Sequence, residues 1–249
     1  MSKSGKKRKS YFGAGFSQTS FGRPAAQTKP PKSILIVTEG QVTEPVYLRA
    51  LAAHWGLHPH VTTIKPGGEG IPANLVTTAL AVREQRATDE KAGKLHFNQV
   101  GSFDETWIVF DTEHAARQGR LDDGIRLAES HGIQIAQNTP CFEFWLVLHY
   151  ALKARPMDTC QQACSLLEEV AGLKKRSYSK TNGATTEFID KLICKVPAAV
   201  RNADLLAKQQ AGEPIPVNPS TLMPSLVRSL HDALPEEIRK RFPLPKACP

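Results

Sequence analysis

The 249-residue chain contains no apolar run of about 18 residues, so no membrane span is expected. Its opening, MSKSGKKRKS, lacks the apolar stretch of a signal peptide, and the expectation is a cytoplasmic protein. No Cys-x-x-Cys pair occurs among the five cysteines at 141, 160, 164, 194 and 248. Cys160 and Cys164 can share a helix face, but without a second ligand pair zinc is a weak reading. Free thiols in a reducing compartment are expected instead. A Gly-x-x-x-x-Gly-Lys-[Ser/Thr] loop is missing, which excludes nucleotide hydrolysis by that route. There is no internal repeat and no readable RNA-binding module such as an RRM. Acidic residues are absent from positions 1–38, which hold eight Lys or Arg, while the other 211 residues carry 24 charges of each sign. The net charge of +8 therefore sits entirely in the leader, and the body is formally neutral.

Residues 1–31 are rich in Lys, Ser, Gly and Gln and close on Pro30-Pro31. They read as a flexible basic tail, either a solvated leader or an arm that strengthens association with nucleic acid through counterion release. Over the whole chain, 41% hydrophobic and 22% charged residues allow one sizeable domain, or one domain with an added subdomain. Ile34 to Val37 is an unbroken β-branched run, the mark of a strand covered on both faces. A helix follows Gly40, with Thr43 as cap, Pro45 in the first turn and Gly56 as stop. His60 to Lys65 is a weak strand, Gly67, Gly68 and Gly70 make a loop, and Pro72 opens a helix to about Lys91. Thr106 to Phe110 is the second strong strand. A helix over Leu121 to His131, ended by Gly132, leads to a third strand at Ile133 to Ala136. This alternation predicts an α/β fold, a parallel sheet flanked by helices over residues 32–150.

Thr139-Pro140 opens a helix over Cys141 to Tyr150 whose apolar residues surround its axis, so it is expected to be deeply buried. Asp158 with Gln161 reads as a capping box for a helix ended by Gly172. A helix over Thr185 to Asn202 breaks at Pro197, and Asn218-Pro219-Ser220 supplies cap residues before the last helical stretch. Residues 151–249 thus read as a mainly helical C-terminal extension packed on the core.

The chemistry-bearing pattern is carboxylates at strand ends. The first strand leads to Glu39 and then Glu44 at a helix start; the second gives Asp111 and Glu113. Ligands of open parallel sheets sit at the carboxyl ends of strands. Residues two apart in extended chain point the same way, so Asp111 and Glu113 can converge. Carboxylates in that number repel unless a cation neutralises them, and hard oxygen donors suit Mg2+ or Mn2+. Such an ion polarises a phosphate and acidifies bound water, with a neighbouring carboxylate as general acid or base. The plainer alternative is that Glu44 serves only the helix dipole and Asp111 caps a loop.

Four segments also carry a family resemblance. ILIVTEGQVTEPVYL resembles the opening motif of the RloB-like family, and WIVFDTEH is similar to its second, acidic motif. IAQNTPCFEFWLVLHY resembles its third, and NPSTLMPSLVRSL its C-terminal signature. Together they span about residues 32–232 in the family's order. The resemblance implies a TOPRIM-like core related to the nuclease half of OLD-type systems. It also implies a role in prokaryotic anti-phage or abortive-infection defence, often beside an ABC-like ATPase partner. On it, Glu39 is the first-strand acid, acting as general acid/base or metal ligand. Glu44 is the second Glu of the motif, and Asp111 and Glu113 are metal ligands in a DxE variant of the usual DxD.

His114 reads either as a proton shuttle or phosphate contact or as a loop residue bonded to its surroundings. Glu143, in the first turn of the buried helix, either orients a ligand or a basic residue from behind or answers the helix dipole. His149 reads as a satisfied core histidine, and Cys141 as a small packing residue. Lys174, Lys175, Arg176 and Lys180 around Tyr178 form either a nucleic-acid-binding loop, stacking a base while holding phosphates, or a solvated one. The resulting expectation is a Mg2+- or Mn2+-dependent nuclease acting on RNA, such as tRNA, or on DNA, with a homo-oligomer also open. A non-catalytic nucleic-acid-binding or regulatory subunit of an ATPase complex is the alternative, and a TOPRIM-like phosphotransfer enzyme a third.

Overall fold

Two apolar runs with no polar interruption organise the molecule. Ile34, Leu35, Ile36 and Val37 are all fully buried in strand β1, Ile34–Thr38. Thr106 to Phe110 are buried in β3, Glu105–Asp111. Between them lie helix α1 (Thr43–Trp55), β2 (Thr62–Pro66) and α2 (Pro72–Lys91). After β3 come α3 (Leu121–Ser130), β4 (Gln134–Thr139) and α4 (Phe142–Leu148). The remainder is α5 (Cys160–Ala171), α6 (Asn182–Leu192), a 3-10 turn (Ile193–Lys195), α7 (Val196–Gln209), β5 (Ser220–Thr221), α8 (Met223–Asp232) and α9 (Glu236–Arg241). The computed structural model describes residues 32–57, 62–67, 71–95, 101–113, 120–212 and 217–246. The basic tail, His60, Gly68, Gly70 and His114 lie outside the described residues.

The strands form one sheet in the order β2-β1-β3-β4-β5. The first four run parallel and β5 antiparallel, which is the mixed α/β architecture expected from the alternation of elements. Alternate residues point to opposite faces and divide the core in two. Ile34, Ile36, Trp107, Val109 and Ala136 join the larger cluster, together with apolar residues of α1 and of α4 through α8. Leu35, Val37, Ile108 and Phe110 join the smaller one, packed with residues of α2 and α3. Each such side chain, fully buried, contributes roughly 1.5–3 kcal/mol. Every residue of α4 is buried, as its apolar circumference requires. No helix of the described residues is long and apolar enough to cross a membrane.

Several boundaries differ from the sequence expectation for local reasons. Thr43 is the first helical residue and Val42 the N-cap. The residue before α5 is Thr159, and Asp158 N–H is taken instead by Gln162 Oε1 at 2.7 Å. Pro197 sits in the first turn of α7, where its missing N–H costs nothing. Asn218 does not cap a helix: its amide exchanges two hydrogen bonds with the Met157 backbone, at 2.8 and 3.2 Å. Ser220 belongs to β5.

Candidate functional site

Because β1 pairs with β2 on one side and β3 on the other, the chain reverses its direction of winding at β1 and β3. Crevices at the carboxyl ends of such strands are the usual ligand sites of open α/β sheets. Glu39 follows β1 there. Its N–H extends the ladder to Val109 O (2.9 Å), and its Oε2 accepts the Asp111 N–H (2.9 Å). The chain then turns at Gly40, whose N–H donates to Glu44 Oε1 at 3.0 Å. A Cβ on Gly40 would collide with the Glu44 carboxylate where it now sits, so glycine is what lets that α1 side chain fold back over the turn. Glu44 is 6% exposed, and its pKa is pushed up to about 7, by burial first and then by the charge of Glu143.

Asp111 ends β3 on the face shared with Trp107 and Val109. Its carboxyl is held well above the usual range by burial, then by Glu44, Glu143 and Glu39 in that order. Its Oδ1 is buried with no hydrogen-bond partner among the described residues. Four carboxylates from β1, α1, β3 and α4 thus share one electrostatic neighbourhood. Glu143, in the first turn of α4 and 1% exposed, stands inside this group. Its Oε1 pairs with Lys180 Nζ (2.8 Å) and accepts the Tyr178 O–H (3.3 Å), and its Oε2 lies 3.0 Å from Cys160 Sγ. Burial alone would weaken the Lys180 charge, but Glu143 outweighs it and raises the ammonium's pKa.

Glu113 has a backbone partner of its own. Extended geometry stops at Asp111, so the two-residue alternation of a strand does not apply at Glu113. Its Oε2 accepts the N–H of Cys160, the first residue of α5, at 2.8 Å, a place where the helix dipole favours an anion. Lys174, Lys175 and Arg176 are exposed. Glu168 fixes this segment by accepting the Arg176 and Tyr178 N–H groups, both at 2.8 Å. An open cleft of about 1030 Å³ runs along α5, lined by Arg155, Gln161, Lys175, Arg176, Tyr178 and Lys180 among others. Lys180 and Tyr178 belong to both the cleft and the carboxylate group.

The thiols correct the sequence expectation. Cys141 and Cys160 form a disulfide, because Cys141 precedes α4, Cys160 opens α5, and the two helix starts pack together. Cys164 and Cys194 are free. Cys141, Glu143 and Cys160 are the described group whose potential donor atoms all lie within 4.8 Å of one another. With its sulfurs bonded to each other, that group offers a cation only the Glu143 oxygen. Sequence reasoning also missed Asn138, which stands beside Asp111 in the β3–β4 register. A polar residue near the end of an otherwise buried parallel strand is the signal that marks it.

The family model described as RloB-like protein matches residues 34–230. No curated protein matches the chain. No solved structure matches it.

Proposed function

The chain belongs to the RloB-like family, and from that premise we propose that it is a metal-dependent phosphodiesterase of the TOPRIM type that cleaves nucleic acid in prokaryotic defence against phage. The observation that carries this reading is Asp111, an acid with an orphaned buried oxygen and three further carboxylates close enough to raise its pKa. Repulsion of that kind is relieved by protonation or by a cation. All four donors are hard oxygens, which fit Mg2+ or Mn2+. Glu39, Asp111 and Glu143 would hold the ion, with Glu44 beside them. Once bound, such an ion withdraws charge from a phosphoryl oxygen and acidifies water. Glu44, buried beside them, is placed to hold or release a proton at its carboxylate. Arg155, Lys175 and Arg176 line a path for the phosphate backbone toward Lys180, and Tyr178 offers a ring at its end. RNA, including tRNA, and DNA are both served by this chemistry. An ATPase partner would license cleavage.

One observation favours a second reading. Lys180 already brings a positive charge to Glu143 at 2.8 Å, so part of the repulsion is offset without metal. The chain would then be a nucleic-acid-binding or regulatory subunit of an ATPase-containing complex.

Calorimetry with Mn2+ and Mg2+ on the full chain, beside Glu39→Ala and Asp111→Ala, separates the two. Binding that both substitutions abolish supports the phosphodiesterase, and assays on tRNA, mRNA and duplex DNA follow. An absence of binding, or binding indifferent to both changes, favours the lysine-neutralised subunit.

A further inference from the structure

Asn138 lies on β4 between two partners. On one side its Cα register mate is Thr221 of β5, on the other Asp111 of β3. It is 0% exposed. Ala136 and Val109, two residues back along their strands, belong to one apolar cluster. Asn138 and Asp111 therefore project from the same face of the sheet at its carboxyl end.

The orientation of the amide follows from the proton of Thr221. The Thr221 hydroxyl accepts the Met223 N–H at 3.1 Å and donates its single proton to Asn138 Oδ1 at 2.8 Å. The amide oxygen is thereby turned toward β5. A carboxamide is planar, so its nitrogen branches away from Thr221. Asn138 Nδ2 is buried and has no hydrogen-bond partner among the described residues, and the same holds for Asp111 Oδ1. A buried donor and a buried acceptor thus stand on adjacent strands, each unmet and not bonded to each other. Buried polar groups are seldom left so, and such exceptions mark places where a ligand or water completes the set.

Resting on the metal-site reading above, we propose that Asn138 is a positioning residue, donating an N–H to an oxygen atom that docks against Asp111. That oxygen is either a non-bridging phosphoryl oxygen or a water carried by the cation. Both accept from an amide, and both lie where Asp111 can bind the cation they accompany. Thr221 is part of the device, because its hydroxyl keeps the nitrogen rather than the oxygen facing the site.

The test uses the full chain and two probes, Mn2+ alone and inorganic phosphate added to Mn2+-loaded protein, both by calorimetry. Asn138→Ala removes the amide. Asn138→Asp keeps an acceptor for Thr221 and the same shape but replaces the N–H by oxygen. Thr221→Val leaves Asn138 in place and frees it to turn. If the oxygen is phosphoryl, Asn138→Ala and Asn138→Asp weaken phosphate binding about tenfold or more, with Mn2+ affinity in Asn138→Ala unchanged. If the oxygen is the cation's water, Asn138→Ala weakens Mn2+ itself by a similar factor. Thr221→Val shows the same loss, smaller. In a 15N–1H spectrum, the side-chain amide pair missing from Asn138→Asp shifts when Mg2+ and phosphate are added to the wild type. A purely structural amide would lower the unfolding midpoint and leave both affinities and that shift untouched; this result overturns the proposal. If Asn138→Ala does not fold, Asn138→Asp and the spectrum decide. Wild-type binding that is lost in Asp111→Ala but identical in every Asn138 variant sinks this inference alone. Failure of the wild type to bind Mn2+ sinks the metal reading and this inference together.

Discussion

Helices α1 and α4 each contribute to two buried polar groupings, and the two are built on opposite principles. At their first turns the helices present Glu44 and Glu143, which crowd Asp111 and leave its Oδ1 unmet. One turn further along α1, and just past the end of α4, they present Tyr47 and His149. There the protons are fully assigned. The Trp145 carbonyl can only accept, so His149 Nδ1 carries the hydrogen of that 3.0 Å bond. His149 Nε2 then accepts the Tyr47 O–H at 3.2 Å. Burial drives the imidazole's pKa down to about 3, while burial and Glu143 drive Glu44 up to about 7. The same helices thus carry a closed pair that secures the core and an open group that stability alone would not select. Unrelieved repulsion beside a closed pair is the arrangement expected of a site that waits for a ligand.

The largest test of this contrast removes the closed pair. Tyr47→Ala, which empties a fully buried aromatic site, is expected to cost about 3–5 kcal/mol in urea unfolding. A loss below about 1 kcal/mol would mean the pair is not part of the core.

Acidity separates the groupings next, because their signs differ. His149 has its folded pKa, about 3, below the ordinary 6.5. Its neutral form therefore supports the fold above pH 6.5, and that support is lost as pH falls, on the order of 4 kcal/mol over the whole window. Glu44 has its folded pKa, about 7, above the ordinary 4.5. Its contribution is present below pH 4.5 and is lost as pH rises through 7. Metal-free stability should accordingly sag on both limbs, and Mn2+ should lift only the alkaline one. Urea titrations from pH 4 to 8 with and without Mn2+ check this, and equal lifting of both limbs would contradict the assignment.

A smaller effect of opposite sign is expected for Glu44→Gln. Without metal at pH 8 it should stabilise the protein by about 1–3 kcal/mol, while weakening Mn2+ binding in calorimetry. Destabilisation would show that Glu44 serves the helix rather than the site. Least disturbing of all is the double change Lys175→Ala with Arg176→Ala. Both residues are exposed, so the unfolding free energy should change by no more than about 0.5 kcal/mol. The log-log salt dependence of nucleic-acid affinity should drop by about one to two units, and an unchanged slope would remove these residues from the binding path.

Much of the scaffold was legible in the residues. β1 and β3 are unbroken apolar runs because a parallel strand buried on both faces needs apolar side chains in both directions. The alternation of periodicities around them is enough to predict a parallel sheet flanked by helices. Glu39, Glu44 and Asp111 could be picked out because they follow those runs at strand ends and a helix start. The acidic arrangement itself was not legible. Glu143 read either as a carboxylate orienting a ligand or basic residue from behind or as a dipole partner; the packing of α4 sets it on Lys180 and close enough to raise the Asp111 pKa. Glu113 read as a twin of Asp111; β3 ends at Asp111, and the Glu113 carboxylate accepts the N–H that opens α5. The Cys141–Cys160 bond joins residues 19 apart that nothing in their spacing pairs.

Local chemistry by itself determined which segments form strands and helices and where acids meet strand ends, since hydrophobic period and chain ends act over a few residues. Which of those acids meet, which cysteines bond, and which way the Asn138 amide faces were decided only in three dimensions. Side-chain direction at an element's end depends on where its regular geometry stops and on what a distant helix or strand sets against it.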